Sequence, residues 1–156
     1  MRTLFLRLRN RAFHLWFLLT RPMTLGARVM LFNEAGEICL IKHGYVAGWQ
    51  LPGGGVDAGE TIASAAAREL AEEAGFQPIG PITLFAAYQN IKSSKRDHVL
   101  LYICRTASPI KDFKINGREI IDCWFFAVSA LPNDVTPSTQ RRINEVMNAT
   151  AVDSLW

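Results

Sequence analysis

Hydrophobic positions change period along the chain, and each change marks an element. Residues 12–19 form an apolar run, and at about 100° per residue Arg7, Asn10, Arg11 and His14 align as one polar stripe, which predicts an amphipathic N-terminal helix. Residues 26–32 and 37–42 read as strands, and the turn residues Asn33, Glu34, Ala35 and Gly36 between them predict a β-hairpin. Residues 61–74 are rich in Ala, Glu, Arg and Leu, open on Thr61 as a cap and stop at Gly75, the pattern of a helix. Residues 82–89 and 98–105 predict a second strand pair across a mostly charged and polar loop. Residues 123–128 predict a buried strand, and 136–149, introduced by Pro132 and Pro137, a closing helix. Strands and helices mix without strict βαβ alternation, so the fold class is α/β, with a mixed sheet between helical layers.

A length of 156 residues suits one domain and buries roughly 70% of the unfolded surface. Such a core needs no structural metal or disulfide, so a metal bound here would serve function. The net charge of +3 is unevenly spread: residues 1–33 hold Arg2, Arg7, Arg9, Arg11, Arg21 and Arg28 and no acid, leaving 11 basic against 14 acidic residues elsewhere. The chain therefore divides into a basic, apolar arm, 1–23, and a domain, 24–150. Beyond the arm there are no Lys/Arg runs, which argues against nucleic acid as a partner. The run 12–19 is far short of the ~20 residues that cross a bilayer and has no small-residue cleavage site. Two uses of the arm stay open: docking on its own domain or on a second subunit, which gives a homodimer, and peripheral contact with an anionic membrane. Cys39, Cys104 and Cys123 are odd in number and set in apolar runs, so they read as free thiols of a cytoplasmic protein.

The chemistry concentrates in residues 51–60, LPGGGVDAGE, and 68–76, RELAEEAGF. Gly53, Gly54 and Gly55 between strand and helix let peptide groups approach a ligand closely. On the helix, Glu69, Glu72 and Glu73 stand at i, i+3 and i+4 and share one face. Like charges at this spacing cost a few tenths of a kcal/mol per pair, and the C-terminal half of a helix disfavours anions further. Arg68 reaches Glu72 but does not neutralise three carboxylates. A hard divalent cation does, and oxygen-only donors select Mg²⁺ or Mn²⁺ over zinc. The opposite face, Ala63, Ala66, Ala67, Leu70 and Ala74, is small and lets the helix lie close to a sheet. A solvated acidic face on an alanine-rich helix is the alternative for the three glutamates taken alone.

The full spacing removes that alternative. Gly54, five residues, Glu60, seven residues, Arg68-Glu69, apolar Leu70, any residue, Glu72-Glu73, any residue, Gly75 and apolar Phe76 resembles the Nudix hydrolase (MutT-like) box at all nine specified positions in 23 residues. The resemblance covers roughly residues 24–148. It implies an α/β/α sandwich with a mixed sheet and hydrolysis of a nucleoside diphosphate linked to another group. It further implies that Glu72 and Glu73 are the principal metal ligands, completed by the Gly53 carbonyl. Glu69 becomes a ligand or the base, Arg68 an orienting residue, and Glu60 a supporting ligand or helix anchor. Glu119 stands before Cys123-Trp124, where related enzymes often bring a further glutamate over the site, and is the second candidate base. Arg28 is a candidate phosphate contact, Tyr45 and Trp49 are candidates for stacking on a base, and Gly54 and Gly55 for peptide contacts to substrate. His43 and His98 lack metal-ligand spacing and read as structural.

Marks of the subfamilies are absent: Ile91 and Lys92 stand where ADP-ribose hydrolases of this family carry a proline. A small nucleotide diphosphate remains as substrate, of nucleoside triphosphate or nucleotide-sugar type. An RNA 5′-end pyrophosphohydrolase and a non-catalytic nucleotide-sensing module are the alternatives.

Overall fold

In a computed structural model the described residues are Phe13, Trp16, Thr20 and 22–156. Phe13, Trp16 and Thr20 are helical, and the Thr20 hydroxyl donates to the Trp16 carbonyl at 2.7 Å. The readings of the arm as docked, dimeric or membrane-bound lie otherwise outside the described residues. Among those residues no helix is long and apolar enough to cross a membrane.

Two three-stranded sheets form the centre. In one, β1 (Thr24–Leu31) runs parallel to β6 (Asp97–Cys104), which pairs antiparallel with β5 (Thr83–Gln89). In the other, β2 (Ile38–His43) lies between β3 (Trp49–Gln50) and β8 (Ile120–Phe126), both antiparallel to it. A ribbon of β4 (Phe76–Pro78) and β7 (Ala107–Pro109) completes the strands. The sheets separate two helices, α1 (Ile62–Glu69) and α2 (Pro137–Asn148).

The period of two along each strand explains the layering. Ala27, Val29 and Leu31 of β1, with Cys39 and Ile41 of β2, share a buried cluster with Ala65 and Ala66 of α1 and with Leu70 and Ala74 beyond it. The alternate positions Met30, Phe32, Ile38 and Leu40 join Leu101, Tyr88 and Ile143 of α2 on the other side. The expected mixed sheet between helical layers is what forms. Thr61 caps α1 by accepting from the Ser64 N–H, and Thr136 caps α2 in the same way through Thr139.

Two local expectations fail. β1 and β2 are consecutive but are not a hairpin: they share a single bridge, Phe32 with Ile38, and then diverge into different sheets. The glycine loop takes the place of the second hairpin strand, because Ala27 N–H donates to Gly54 O and Val29 N–H to Pro52 O, each at 2.9 Å, while Leu25 O accepts from Val56 N–H at 2.9 Å. Nor is β8 buried. It is one edge of its sheet, and Ile121 and Trp124 are exposed, Trp124 at 66%. Past the expected boundary at residue 150, Gln89 N–H donates to Ser154 O and Trp156 N–H to Gln89 O, which lays the last residues along β5.

Candidate active site

The helix carrying the glutamates does not stay α-helical. After Glu69 it widens into a π turn, Leu70–Ala74, and ends at Gly75. Such single-turn insertions alter which side chains share a face. Glu69 lies on the last α turn and Glu72 and Glu73 on the π turn, so the three are splayed: Glu73 is buried at 6% exposure, while the Glu72 side chain is 61% exposed.

Beside this turn the glycine loop makes two contacts that only glycine permits. Gly53 has φ of 145°, and a Cβ there would stand 2.0 Å from the Ala27 carbonyl oxygen. Its N–H donates to Glu73 Oε2 at 2.6 Å. A Cβ on Gly54 would stand 2.6 Å from Glu69 Oε1, so the carboxylate rests directly on the peptide. The link from Gly53 to the glutamates runs through its N–H.

Arg68 organises the rest. Its guanidinium donates to Glu69 Oε1 at 2.6 Å, to Glu60 Oε1 at 2.7 Å and to Gly55 O at 3.0 Å, with a longer bond to Glu72 Oε2 at 3.4 Å. Its bonds to Glu60 and Glu69 push its pKa up. Glu60 also accepts from Asp57 N–H at 2.7 Å and from Arg68 Nε at 3.4 Å, and it lines neither of the cavities described below. Both Glu60 oxygens thus accept from protein donors, Oε1 from Asp57 N–H and the Arg68 guanidinium and Oε2 from Arg68 Nε.

Two adjoining cavities meet at the carboxylates. One, ≈ 390 Å³, is lined by Glu69, Glu72, Glu73, Asn116, Glu119 and Ile120. The other, ≈ 360 Å³, is lined by Arg28, His43, Tyr45, Val46, Gln50, Gly53, Gly54, Gly55, Glu69, Glu73 and Glu119. Glu119 is presented from the opposite wall by a loop in which Asn116 Oδ1 accepts from the N–H groups of Arg118, Glu119 and Ile120. Burial raises the pKa of Glu73 to about 7, against the opposing effects of the Gly53 N–H and Arg28, with Glu69 and Glu119 adding to the rise. Glu69 is raised by burial and partly restored by Arg68. Arg28 donates to Leu51 O at 3.0 Å, and burial lowers its pKa against the pull of Glu73 and Glu69.

The structure brings together Arg28, Tyr45, Gly53, Gly54, Gly55, Glu69, Glu73 and Glu119 as expected of the sequence, with Glu72 at the rim. It does not bring Trp49. That side chain is 8% exposed and meets Phe126 edge-on at 4.8 Å in the core, so it has no face left for a base. Tyr45, by contrast, is 68% exposed, its ring 5.1 Å from that of His43. His43 and Gln50 are site residues that sequence reasoning missed. His43 is buried, with Nε2 3.8 Å from Glu73 Oε1, and burial and Arg28 lower its pKa. The signal for His43 was its parity: it follows Cys39 and Ile41, which face α1.

Among the described residues no three His, Cys, Asp or Glu side chains are gathered closely enough to hold a metal ion as they stand. The donor set nevertheless suits a hard divalent cation. Glu69, Glu72, Glu73 and Glu119 supply only oxygens to one cavity, Arg68 is occupied by Glu60 and Glu69, and the burial that suppresses Glu73 ionisation is the condition a cation relieves.

Comparison with known proteins places these features in a wider set. The NUDIX domain pattern matches residues 22–146. A putative 8-oxo-dGTP diphosphatase of Bacillus subtilis (strain 168) is 32% identical over 125 residues, 80% of each chain. An RNA pyrophosphohydrolase of Gluconobacter oxydans (strain 621H) is 43% identical over 65 residues, 38% of each chain. The crystal structure of a MutT NUDIX hydrolase from Burkholderia pseudomallei superimposes with a TM-score of 0.67 at 24% identity, covering 80% of this chain and 98% of that one, a likeness of fold.

Proposed function

The chain belongs to the Nudix family, and on that premise we propose that it is a Mg²⁺-dependent hydrolase, with Mn²⁺ as the substitute, that cleaves the diphosphate bond of a small nucleoside triphosphate or nucleotide-sugar. As a Nudix pyrophosphohydrolase it acts on nucleotide diphosphate substrates. One observation carries the finer reading: carboxylates from the helix and from the Glu119 loop face one cavity across from Arg28. Glu72 and Glu73, with Glu119, would hold the cation. When bound, the cation supplies neutralisation of phosphate oxygens and acidification of water.

The protein's own residues do the positioning. Arg28 and the Gly54 and Gly55 peptides line the wall that faces the phosphates, and Tyr45 offers an exposed ring for stacking on a base. Glu69 takes the proton of the attacking water: burial raises its basicity, and its bond to Arg68 fixes the orientation of the carboxylate. Phosphoryl chemistry leaves little else for the protein to do than to align and neutralise.

The test is hydrolysis of a panel of nucleoside triphosphates, nucleotide-sugars and dinucleotides with Mg²⁺ and phosphate detection. No turnover on any, with folded protein, would refute the reading. The similarity to the Gluconobacter enzyme favours an RNA 5′ end as the second reading, and salt separates the two. Single-strand contacts lose about 0.7 log unit of affinity per log unit of salt each, whereas a small nucleotide loses little.

A further inference from the structure

A third cavity, ≈ 660 Å³, lies on the far side of the π turn, and its wall is mostly apolar: Ala74, Phe76, Phe113, Ile115, Trp124 and Phe125. Cys123 opens into it, half-buried. Directly behind stands Cys39, with no exposure, its Sγ 3.6 Å from that of Cys123. The two sulfurs come from adjacent antiparallel strands. Cys39 is opposite Phe125 and Cys123 opposite Ile41, so the cysteines are diagonal neighbours on one face of the β2–β8 pair. Both thiols are free.

We propose that Cys39 and Cys123 form a modification site, a dithiol oxidised reversibly to a disulfide by a small peroxide that enters through this cavity. The more accessible sulfur, that of Cys123, reacts first. The Cys123 thiolate attacks one oxygen of the peroxide and displaces hydroxide, giving a sulfenic acid. The Cys39 sulfur then attacks the Cys123 sulfur and expels water. The balance is two thiols and one peroxide to one disulfide and two waters, with the two electrons of the thiols reducing the O–O bond. Burial order and hydrogen bonding agree with this sequence: the contact with Cys123, then burial, holds the Cys39 thiol well above its ordinary value, while the same contact draws Cys123 down.

Register limits the bond and makes it reversible. Diagonal residues of an antiparallel pair stand about 7–8 Å apart at Cα, and a relaxed disulfide spans about 4.4–6.8 Å, so β8 must close on β2 by roughly an ångström. Disulfides formed under such constraint are readily reduced by thiols. Cys104 is the internal control. It is 3% exposed, its Sγ is turned to the Thr106 carbonyl at 3.5 Å, and it does not line this cavity.

The experiment is titration of the reduced, folded wild-type protein with hydrogen peroxide, followed by intact mass, thiol counting and peptide mapping without reductant. The expected result is a loss of about 2 Da, a fall from three titratable thiols to one, a peptide link between Cys39 and Cys123, and recovery of all three thiols with dithiothreitol. In Cys39→Ala the reaction should stop at Cys123 with an added oxygen that dimedone traps. Three thiols surviving a peroxide excess, a link through Cys104 or between two chains, or a 2 Da loss that persists in Cys39→Ala would each overturn the proposal.

Discussion

Replacing Glu73 with Gln should stabilise the metal-free protein at alkaline pH. In the fold its carboxyl is raised from 4.5 to about 7, chiefly by burial, and the neutral form is therefore the one the fold prefers. The sign follows from linkage. Below pH 4.5 the group is protonated folded and unfolded and contributes nothing against the fold. Between 4.5 and about 7 the unfolded chain releases its proton first, so stability falls as pH rises, and above 7 the full penalty is present. At about 1.4 kcal/mol per pH unit of separation, that penalty is roughly 3 kcal/mol, and the group is buried enough that solvent screening removes little of it. For a chain of this length that is a shift in Tm of about 6–12 °C.

Glutamine keeps the oxygen that accepts from Gly53 N–H and removes the ionisation. In EDTA, Glu73→Gln should thus match the wild type at pH 4.5 and exceed it by about 3 kcal/mol at pH 8, measured by urea unfolding across that range. The residual slope of the variant belongs to Glu69, which burial also raises, and to His43, which burial lowers and which acts with the opposite sign. Excess Mg²⁺ should then reverse the order, raising the wild type and leaving the variant nearly unchanged, with proton release on binding below pH 7. A variant with the same pH slope as the wild type, or one less stable at pH 8 without metal, refutes the argument that Glu73 is an unrelieved buried carboxyl.

Glu69→Gln should lower kcat by about 10²–10⁴-fold at saturating Mg²⁺ and Glu119→Gln by less, since a general base contributes on that scale; the assignment fails if Glu69→Gln loses under tenfold. Gly53→Ala places a methyl against the Ala27 carbonyl at a positive φ and should cost roughly 3 kcal/mol or more of stability in urea unfolding, as strain and overpacking together do. Trp49→Ala should cost about 3–5 kcal/mol by opening the core, while Tyr45→Ala should leave stability within about 0.5 kcal/mol and raise KM; an unaltered KM in Tyr45→Ala rejects the stacking role.

What the chain reveals in advance depends on how local the cause is. The cap at Thr61, the antiparallel β5–β6 pair and the closing helix introduced by Pro137 all follow from short-range rules, and all appear. The hairpin between residues 26–32 and 37–42 has the right turn chemistry and still does not form, because the edge of β1 that a hairpin partner needs is taken by peptides of the glycine loop, a segment twenty residues further on. Trp49 and Trp124 show the same limit in opposite senses: both stand on edge strands of one sheet, yet the first packs on Phe126 and is bridged at Val135, in the core, and the second is exposed. The glutamates were legible as a set because spacing survives folding, but their arrangement was not. A uniform 100° per residue puts Glu69, Glu72 and Glu73 on one arc, whereas the π turn buries Glu73 against Gly53 and leaves Glu72 exposed. Under the proposed function that splay would give the two neighbours different work: Glu73 would carry the electrostatic penalty that a cation relieves, and the exposed Glu72 would stand at the rim, where an arriving cation would first meet it.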